Sequence, residues 1–327
     1  MKAVQIDIDW HPGLSIYASE SFLKSVGDEY GWIGGIDDSG KLRCILPYTI
    51  IRKAIFRMVR FRIETIPLGE YLELGEEQAF LNSAIEYLRS IGADMIIPAT
   101  TNTIFRTYPN GAAAAPYGSC IIDLGQAEDT LWSNISKTYR KNIRSAINTG
   151  VHIQSGIEYT DIAYRLVRNT FSRSGIRFMR YDAFQRLVAG LGQYVKILVA
   201  DYKGVVQSCT VFPFSPYSAY ALYGGSIIKP VKGAMKLLQW EAIRMFNGLG
   251  IQQLDFVGAR INAEKGSKQE GIFLFKQHFG ARLVQGYMWK YPFHSLKYFL
   301  YCLAVRLLRR GDIVDQERHK IRFAHLP

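Results

Sequence analysis

The chain has 327 residues, 48% apolar, 13% aromatic and 21% charged, and this balance excludes a disordered or fibrous protein. At that length the chain is expected to split into two domains of about 150 residues each. Lys and Arg number 40 against 28 Asp and Glu, and the net charge of +12 favours anionic partners: nucleic acid, an anionic membrane face or phosphate-bearing substrates.

In chain order, the opening MKAVQIDIDW has no signal-peptide core. Residues 31–50 predict a hairpin, two β-rich runs around the turn Asp37-Asp38-Ser39-Gly40. Arg52, Lys53, Arg57, Arg60 and Arg62 crowd the next stretch as basic surface. A helix ending AIEYLRSIG (84–92) stops at Gly92 and leads into ADMIIP. The small, Pro/Gly-punctuated run 111–118 predicts a flexible connection. Residues 129–150 predict one helix ending at Gly150. Leu131, Ile135, Tyr139, Ile143 and Ala146 form its buried stripe, and Lys137, Arg140, Lys141 and Arg144 its basic one. A second amphipathic helix is expected around 160–174.

Residues 195–214 repeat the hairpin layout around Asp201-Tyr202-Lys203-Gly204. A helix ending AIRMFNGLG (242–250) repeats the helix stop, and IQQLDFVG follows. Turn glycine and stop glycine are about 50 residues apart in both places. Order and spacing together imply a duplicated α/β unit; the alternative is coincidence between common hairpins and helix stops. Before the second helix, Lys229, Lys232 and Gly233 precede a helix start at Ala234. The pattern reads as a phosphate cradle, or else as a solvated turn with a cap. Tyr220 and Tyr223 lie on a strand just before it, as core aromatics or groove lining. A strand ends at Asp255, and Lys276 then sits among Phe273, Leu274, Phe275 and Phe279, either snorkelling or held as a partly buried cation. The tail 294–323 reads as an apolar helix with a basic end, lying on anionic lipid or packing across the two domains.

Cys44, Cys120, Cys209 and Cys302 are far apart, which suggests neither a zinc site nor a disulfide framework and fits a reducing cytosol. The six histidines show no metal-ligand spacing. A Walker loop, a dinucleotide-binding glycine motif and a nucleophile triad are all missing, so hydride, phosphoryl and zinc chemistry are disfavoured.

LWSNISKTYRKNIRSAINTGV (131–151), YALYGGS before LLQWEAIRMFNGLGIQQLDF (237–256), and GIFLFKQHFGA (271–281) occur in this order. Together they resemble the FemAB-type branch of the GNAT acyltransferase superfamily, including the BioF2-like domain. The resemblance spans most of the chain and is best over 129–290. It implies an α/β fold of tandem GNAT-like domains with mixed central sheets flanked by helices. The expected division is an N-terminal GNAT-like domain at 1–125, the acyltransferase domain at 126–290 and a basic amphipathic tail at 291–327.

The activity so implied is acyl or aminoacyl transfer to an amino group of a cell-envelope saccharide or peptidoglycan precursor. The donor is acyl-CoA or aminoacyl-tRNA, with no metal. Partners are a nucleotide- or lipid-linked amino-sugar or peptide acceptor, tRNA, and an anionic membrane surface met through 294–323. The place is the cytoplasm or the inner face of the membrane. By family position and context, Lys276 is the cation stabilising the oxyanion. Asp255 orients the amine or holds a lysine, and Tyr223 donates to the carbonyl or leaving group. Lys229, Lys232 and Gly233 hold phosphate. Arg140 and Arg144 bind an anionic substrate, or else make surface or inter-domain contacts. The superfamily's pyrophosphate signature is not met around Gly233, which speaks against ordinary CoA binding there, and Ser226 stands where the family often has Asn. A non-catalytic tandem unit that recruits tRNA or anchors an exopolysaccharide complex is the competing reading.

Overall fold

The computed structural model describes residues 1–69, 71–309 and 311–324. Of the tail expected at 294–323, Arg310 and the side chains of Arg309, Arg322 and Phe323 lie outside the described residues.

Strand β1 (Lys2–Ile6) is followed by α1 (Glu20–Val26), whose first turn is capped by the Ser19 hydroxyl, and then by β2 (Glu29–Ile36). The expected hairpin forms because Asp37 Oδ1 accepts the Ser39 and Lys41 N–H groups and Gly40 takes φ +84°. It returns the chain as β3 (Leu42–Lys53), beside which β4 (Phe56–Phe61) turns back. After β5 (Ile66–Pro67) comes α2 (Leu74–Ser90), then Gly92 at φ +78° and β6 (Met95–Ile96), parallel to β4. Next are β7 (Ala113–Asp123), α3 (Glu128–Asn134), α4 (Lys137–Thr149), β8 (His152–Ser155), α5 (Thr160–Ser172) and α6 (Tyr181–Leu191). The second hairpin is β9 (Val195–Tyr202) and β10 (Val205–Pro213), followed by β11 (Ser218–Tyr220), β12 (Tyr223–Ser226), α7 (Ala234–Gly248) and β13 (Gln253–Asp255). The chain closes with α8 (Lys268–Gln277), β14 (Arg282–Pro292), α9 (Ser295–Arg309) and α10 (Ile313–Ala324).

The strand order bears out the duplication. One sheet runs β1-β2-β3-β4-β6-β14-β7-β13-β11, and a second runs β12-β10-β9-β8. Reading outward from the central β14–β7 pair, one side is β6, β4, β3, β2, β1. The other is β13, β11 with β12, β10, β9, β8, with the same strand directions. Each half also lends a strand. β7, from the first half, lies beside β13, and β14, from the second, lies beside β6. The hydrophobic core follows suit: Trp289 of β14 packs with Phe61 and Phe105, and Cys120 and Ile122 of β7 pack with the α7 residues Leu238 and Phe246.

Three expectations are corrected. The run 111–118 is no flexible connection, because most of it is the first part of β7, paired with β14 from Ala113 to Ile121. Its small residues suit a central strand, and Pro116 is tolerated because the β13 ladder begins only at Ile121. The helix expected over 129–150 is two helices. Ile135 is extended, and the Ser136 N–H goes to the His278 carbonyl instead of a helical partner. The apolar stripe survives the break, with Leu131, Ile135, Ile143 and Ala146 all buried. The tail is two helices with different surroundings, α10 lying across β7 and β14.

α10 is held by charge in a dry place. Lys290 of β14 is 2% exposed, and its Nζ donates to Asp312 at 2.8 Å and Asp315 at 2.6 Å; Arg260 pairs with the buried Glu317 at 3.2 Å. Removing one member of such a cluster strands the others, at about 3–5 kcal/mol. Lys290→Met is therefore expected to lower unfolding free energy by about that amount in denaturant melts. A change within error would show that the cluster is merely tolerated.

Candidate functional site between the two halves

The alternation of β4 sorts its side chains. Val59 and Phe61 enter the first half's core, whereas Phe56, Met58 and Arg60 follow one another on the other face, and Arg62 comes just beyond the strand end. Arg60 and Arg62 thereby reach a cavity of about 480 Å³ between the halves. Tyr17 and Asn102 line it from the first half, Arg186 and Tyr223 from the second.

Arg62 is the unusual member. It is 7% exposed, its Nε donates to Thr49 Oγ1 at 2.9 Å and its Nη2 to the Val26 carbonyl at 2.5 Å. Among the described residues no carboxylate pairs with it. Burial lowers its pKa to about 9, and the neighbouring Arg60 charge pushes the same way. A buried cation without a counter-ion is costly, and an anionic ligand removes that cost. The Tyr17 hydroxyl, buried on the same wall, has no hydrogen-bond partner among the described residues. Tyr223 crosses the ring of Phe178 at 5.0 Å, and burial holds its hydroxyl protonated beyond the usual range.

Beside Tyr223 the second half's sheet opens. The Ala221 N–H still bonds the Asp255 carbonyl at 2.8 Å, but the Leu222 N–H bonds Val211 on β10 at 3.0 Å. β12 thus leaves with β10 while β13 stays with β7, and a gap opens beyond Asp255. Asp255 is buried at the lip of that gap. It accepts the Ser119 hydroxyl and the Val257 N–H at 2.7 Å, and burial raises its pKa to about 6. Val257 and Gly258 follow at φ +46° and +40°. That region is strained for a β-branched residue, and the strain is held by Asp255 and by the Gly258 N–H to Thr101 carbonyl bond at 2.9 Å. Lys276 of α8 completes the turn, its buried Nζ donating to the carbonyls of Val257 and Gly258. Burial lowers the Lys276 pKa, while Asp255 and Cys120 oppose the shift. Glu64 is pushed up to about 7 by burial, with Asp255 adding to the rise.

The structure therefore brings Asp255 and Lys276 together behind the gap and puts Tyr223 on the cavity wall. Lys276 does not line the cavity. Lys229 and Lys232 are exposed before α7, and Gly233 caps that helix at φ +89°. The close approach that Gly233 permits is to α4: a Cβ there would stand 2.2 Å from the Asn142 carbonyl. Lys236 joins this basic end, 4.5 Å from the Tyr139 ring centroid. Arg140 donates to the carbonyls of Trp132 and Ser133, and Arg144 lies over the Trp132 ring at 5.4 Å. Arg60 and Arg62, expected as basic surface, line the cavity instead, a placement that the period-two spacing in FRMVRFR encodes; the sequence carries no signal for Tyr17 or Glu64. No group of side chains suited to a metal ion occurs among the described residues.

Residues 110–204 match the FemAB family model. No match is found among the curated proteins. Among solved structures, FemX superposes with a TM-score of 0.66 at 14% identity, covering 92% of this chain and 99% of its own. The C-terminal domain of a putative lysylphosphatidylglycerol synthetase from Agrobacterium fabrum gives 0.53 at 13%, covering 89% and 92%. A conserved protein of unknown function from Bacteroides thetaiotaomicron gives 0.52 at 12%, covering 84% and 90%. At these identities the likeness speaks for the fold. With the strand order above, it makes the chain a tandem GNAT-like α/β protein, as the motifs implied.

Glu64 and Asp255 set a sign for the pH response. Both have folded pKa values above the ordinary carboxyl range, so the folded chain keeps protons that the unfolded chain has lost. Their contribution to stability is whole below about pH 4 and is lost as pH rises through about 6 to 7. Glu64→Gln is expected to flatten the fall in melting temperature across that window. A slope equal to that of the parent chain would show Glu64 to be solvated like an ordinary carboxylate.

Proposed function

We propose that this FemAB-like acyltransferase moves an aminoacyl group from aminoacyl-tRNA to the amino group of a phosphate-bearing cell-envelope precursor, whose phosphate is held in the cleft by Arg62. The observation that carries the reading is the buried Arg62 guanidinium, which meets no carboxylate among the described residues, on a cavity wall shared with the Tyr17 hydroxyl, which has no hydrogen-bond partner among them. The family match over 110–204 and the FemX-like fold support aminoacyl transfer in cell-envelope synthesis. A tRNA donor is favoured over CoA because α4 covers the side of the α7 start where a pyrophosphate would approach Gly233.

In the proposed step the acceptor's neutral amine attacks the donor's ester carbonyl at the gap between β12 and β13. A C–N bond forms, the C–O bond to the tRNA ribose breaks, and the amine proton passes to the departing ribose oxygen. Negative charge gathers on the carbonyl oxygen meanwhile, and Lys276 lies behind the gap with one N–H left over after its two carbonyl bonds. Tyr223 donates to the carbonyl or to the leaving oxygen. Asp255 keeps the strained turn and the Lys276 ammonium in place. Lys229, Lys232 and Lys236 meet the donor's phosphates, with Gly233 seating their helix on α4 and Arg144 and Arg140 extending the basic face.

Arg62→Met is expected to raise KM for the acceptor about tenfold or more, the loss of one charge-assisted contact of about 1.5–3 kcal/mol, with Arg62→Lys intermediate. An unchanged KM would remove the acceptor from the cleft. Lys276→Met is expected to lower kcat about a hundredfold in a chain whose circular dichroism is unaltered; full activity would take Lys276 out of the mechanism.

A further inference from the structure

The turn that seats Lys276 is reached from its far side by the chain's last helix. Val257 and Gly258, at φ +46° and +40°, give both their carbonyls to the Lys276 Nζ. Backbone held in that region persists only where its neighbours over-determine it. Asp255 takes the Val257 N–H, and the Thr101 carbonyl takes the Gly258 N–H. The next residue, Ala259, is bridged to β7 in both directions. Its N–H donates to the Gly118 carbonyl at 2.6 Å, and its carbonyl accepts the Gly118 N–H at 2.9 Å.

Arg260 then ties the turn to α10. Its Nη2 donates to Gln316 Oε1 at 2.8 Å, and its Nη1 lies 3.2 Å from Glu317 Oε1. A forked guanidinium suits acceptors on two consecutive helix residues, which an ammonium cannot span as well. Glu317 is 1% exposed; besides Arg260 it meets Lys320 at 3.4 Å, and its Oε2 has no hydrogen-bond partner among the described residues. Tyr117 makes a second, apolar route. It packs with Val314 of α10, Ile104 and Met288, and a side chain at Gly258 would stand 3.0 Å from its hydroxyl. α10 is itself fastened to β14 through Lys290, Asp312 and Asp315. One line of contacts therefore runs from β14 through α10 and Arg260 to the carbonyls that hold Lys276.

We infer that Arg260 is a positioning residue: gripped by Gln316 and Glu317 of α10, it holds the 257–259 turn in the shape that buries Lys276 and turns its ammonium toward the gap. The part of Lys276 in transfer rests on the function proposed above; its seating by α10 does not. Asp255 on β13 and Cys120 on β7 are the titratable groups that act on Lys276, and both favour its ammonium against the pull of burial. Releasing the turn exposes Lys276 and lets its pKa rise toward the ordinary lysine value.

The test is pulsed acetylation of the full chain with acetic anhydride, Lys276 being followed by peptide mass spectrometry from about pH 6 to 11. Arg260→Met is expected to label at Lys276 about fivefold faster or more at the top of that range, with the midpoint of its pH profile moved upward. Arg260→Lys, which keeps the charge but not the fork, is expected to fall between. Leu81→Ala, in the buried core of the first half, is the control for lost stability alone and is expected to label as the parent does. If Arg260→Met does not fold, Glu317→Gln, equal in shape and without the charge, is expected to move rate and midpoint the same way by about half as much on a logarithmic scale. Parental rate and midpoint in the folded variant, or an equal rise in Leu81→Ala, overturns the seating. Transfer from alanyl-tRNA to a nucleotide-linked peptide bearing a lysine amine separates the two readings. With Lys276 in the mechanism, Arg260→Met lowers kcat about tenfold and leaves both KM values at the parent's. If labelling shifts while kcat holds, or the parent transfers nothing, the transfer role of Lys276 falls and its seating by α10 stands.

Discussion

The central sheet depends on an exchange: β7 completes the half to which β14 belongs by sequence, and β14 completes the half to which β7 belongs. Neither half can move away without breaking a ladder nine residue pairs long. That constraint reaches the site directly. Ser119, which donates to Asp255, is on β7, so a residue of the first half steadies the strand end that opens the gap in the second. Thr101, also from the first half, fixes Gly258 in the strained turn beneath Lys276. The two walls of the cleft are therefore tied to each other through the shared sheet.

Equivalent positions in the two halves do different work. In the first half, β4 stays in one sheet and pairs with β3 on one edge and β6 on the other. In the second half, the matching stretch breaks at Ala221–Leu222, so that β11 follows β13 and β12 follows β10. The unbroken copy supplies Arg60 and, just past its end, Arg62, and the broken copy supplies the opening. One half thus presents charge to the place where the other parts its strands, and the pseudo-twofold arrangement turns both toward the same cavity.

Much of this order was legible in the chain. The Asp37 and Asp201 turns, the Gly92 and Gly250 stops and the apolar stripe from Leu131 to Ala146 each follow from local chemistry, and each is found in place. What was not legible depends on distant partners. The break at Ile135 exists because the His278 carbonyl takes the Ser136 N–H, 142 positions away along the chain. The run 111–118 reads as a linker because its alanines and glycines carry no amphipathic pattern, yet a strand at the centre of a shared sheet needs small side chains more than it needs pattern. Gly233 illustrates the same limit: a glycine that permits close approach does not say what approaches, and here it is the Asn142 carbonyl.

The two lysines that look most alike on paper are held in opposite ways. Lys290 is buried with two carboxylates, which raise its pKa against the pull of burial. Lys276 is buried with carbonyl dipoles and a carboxylate at longer range, and burial wins, so its pKa falls. A lysine paired by contact is spent on structure, since its charge is neutralised where it stands. One held by dipoles keeps most of its field for whatever charge forms nearby, at the cost of a less firmly held proton. Arg62 follows the second pattern on the cavity wall. Lys276 and Arg62, held by dipoles with no carboxylate in contact among the described residues, thus stand where the strands part and where the halves meet, and the neutralised Lys290 lies where α10 is fastened.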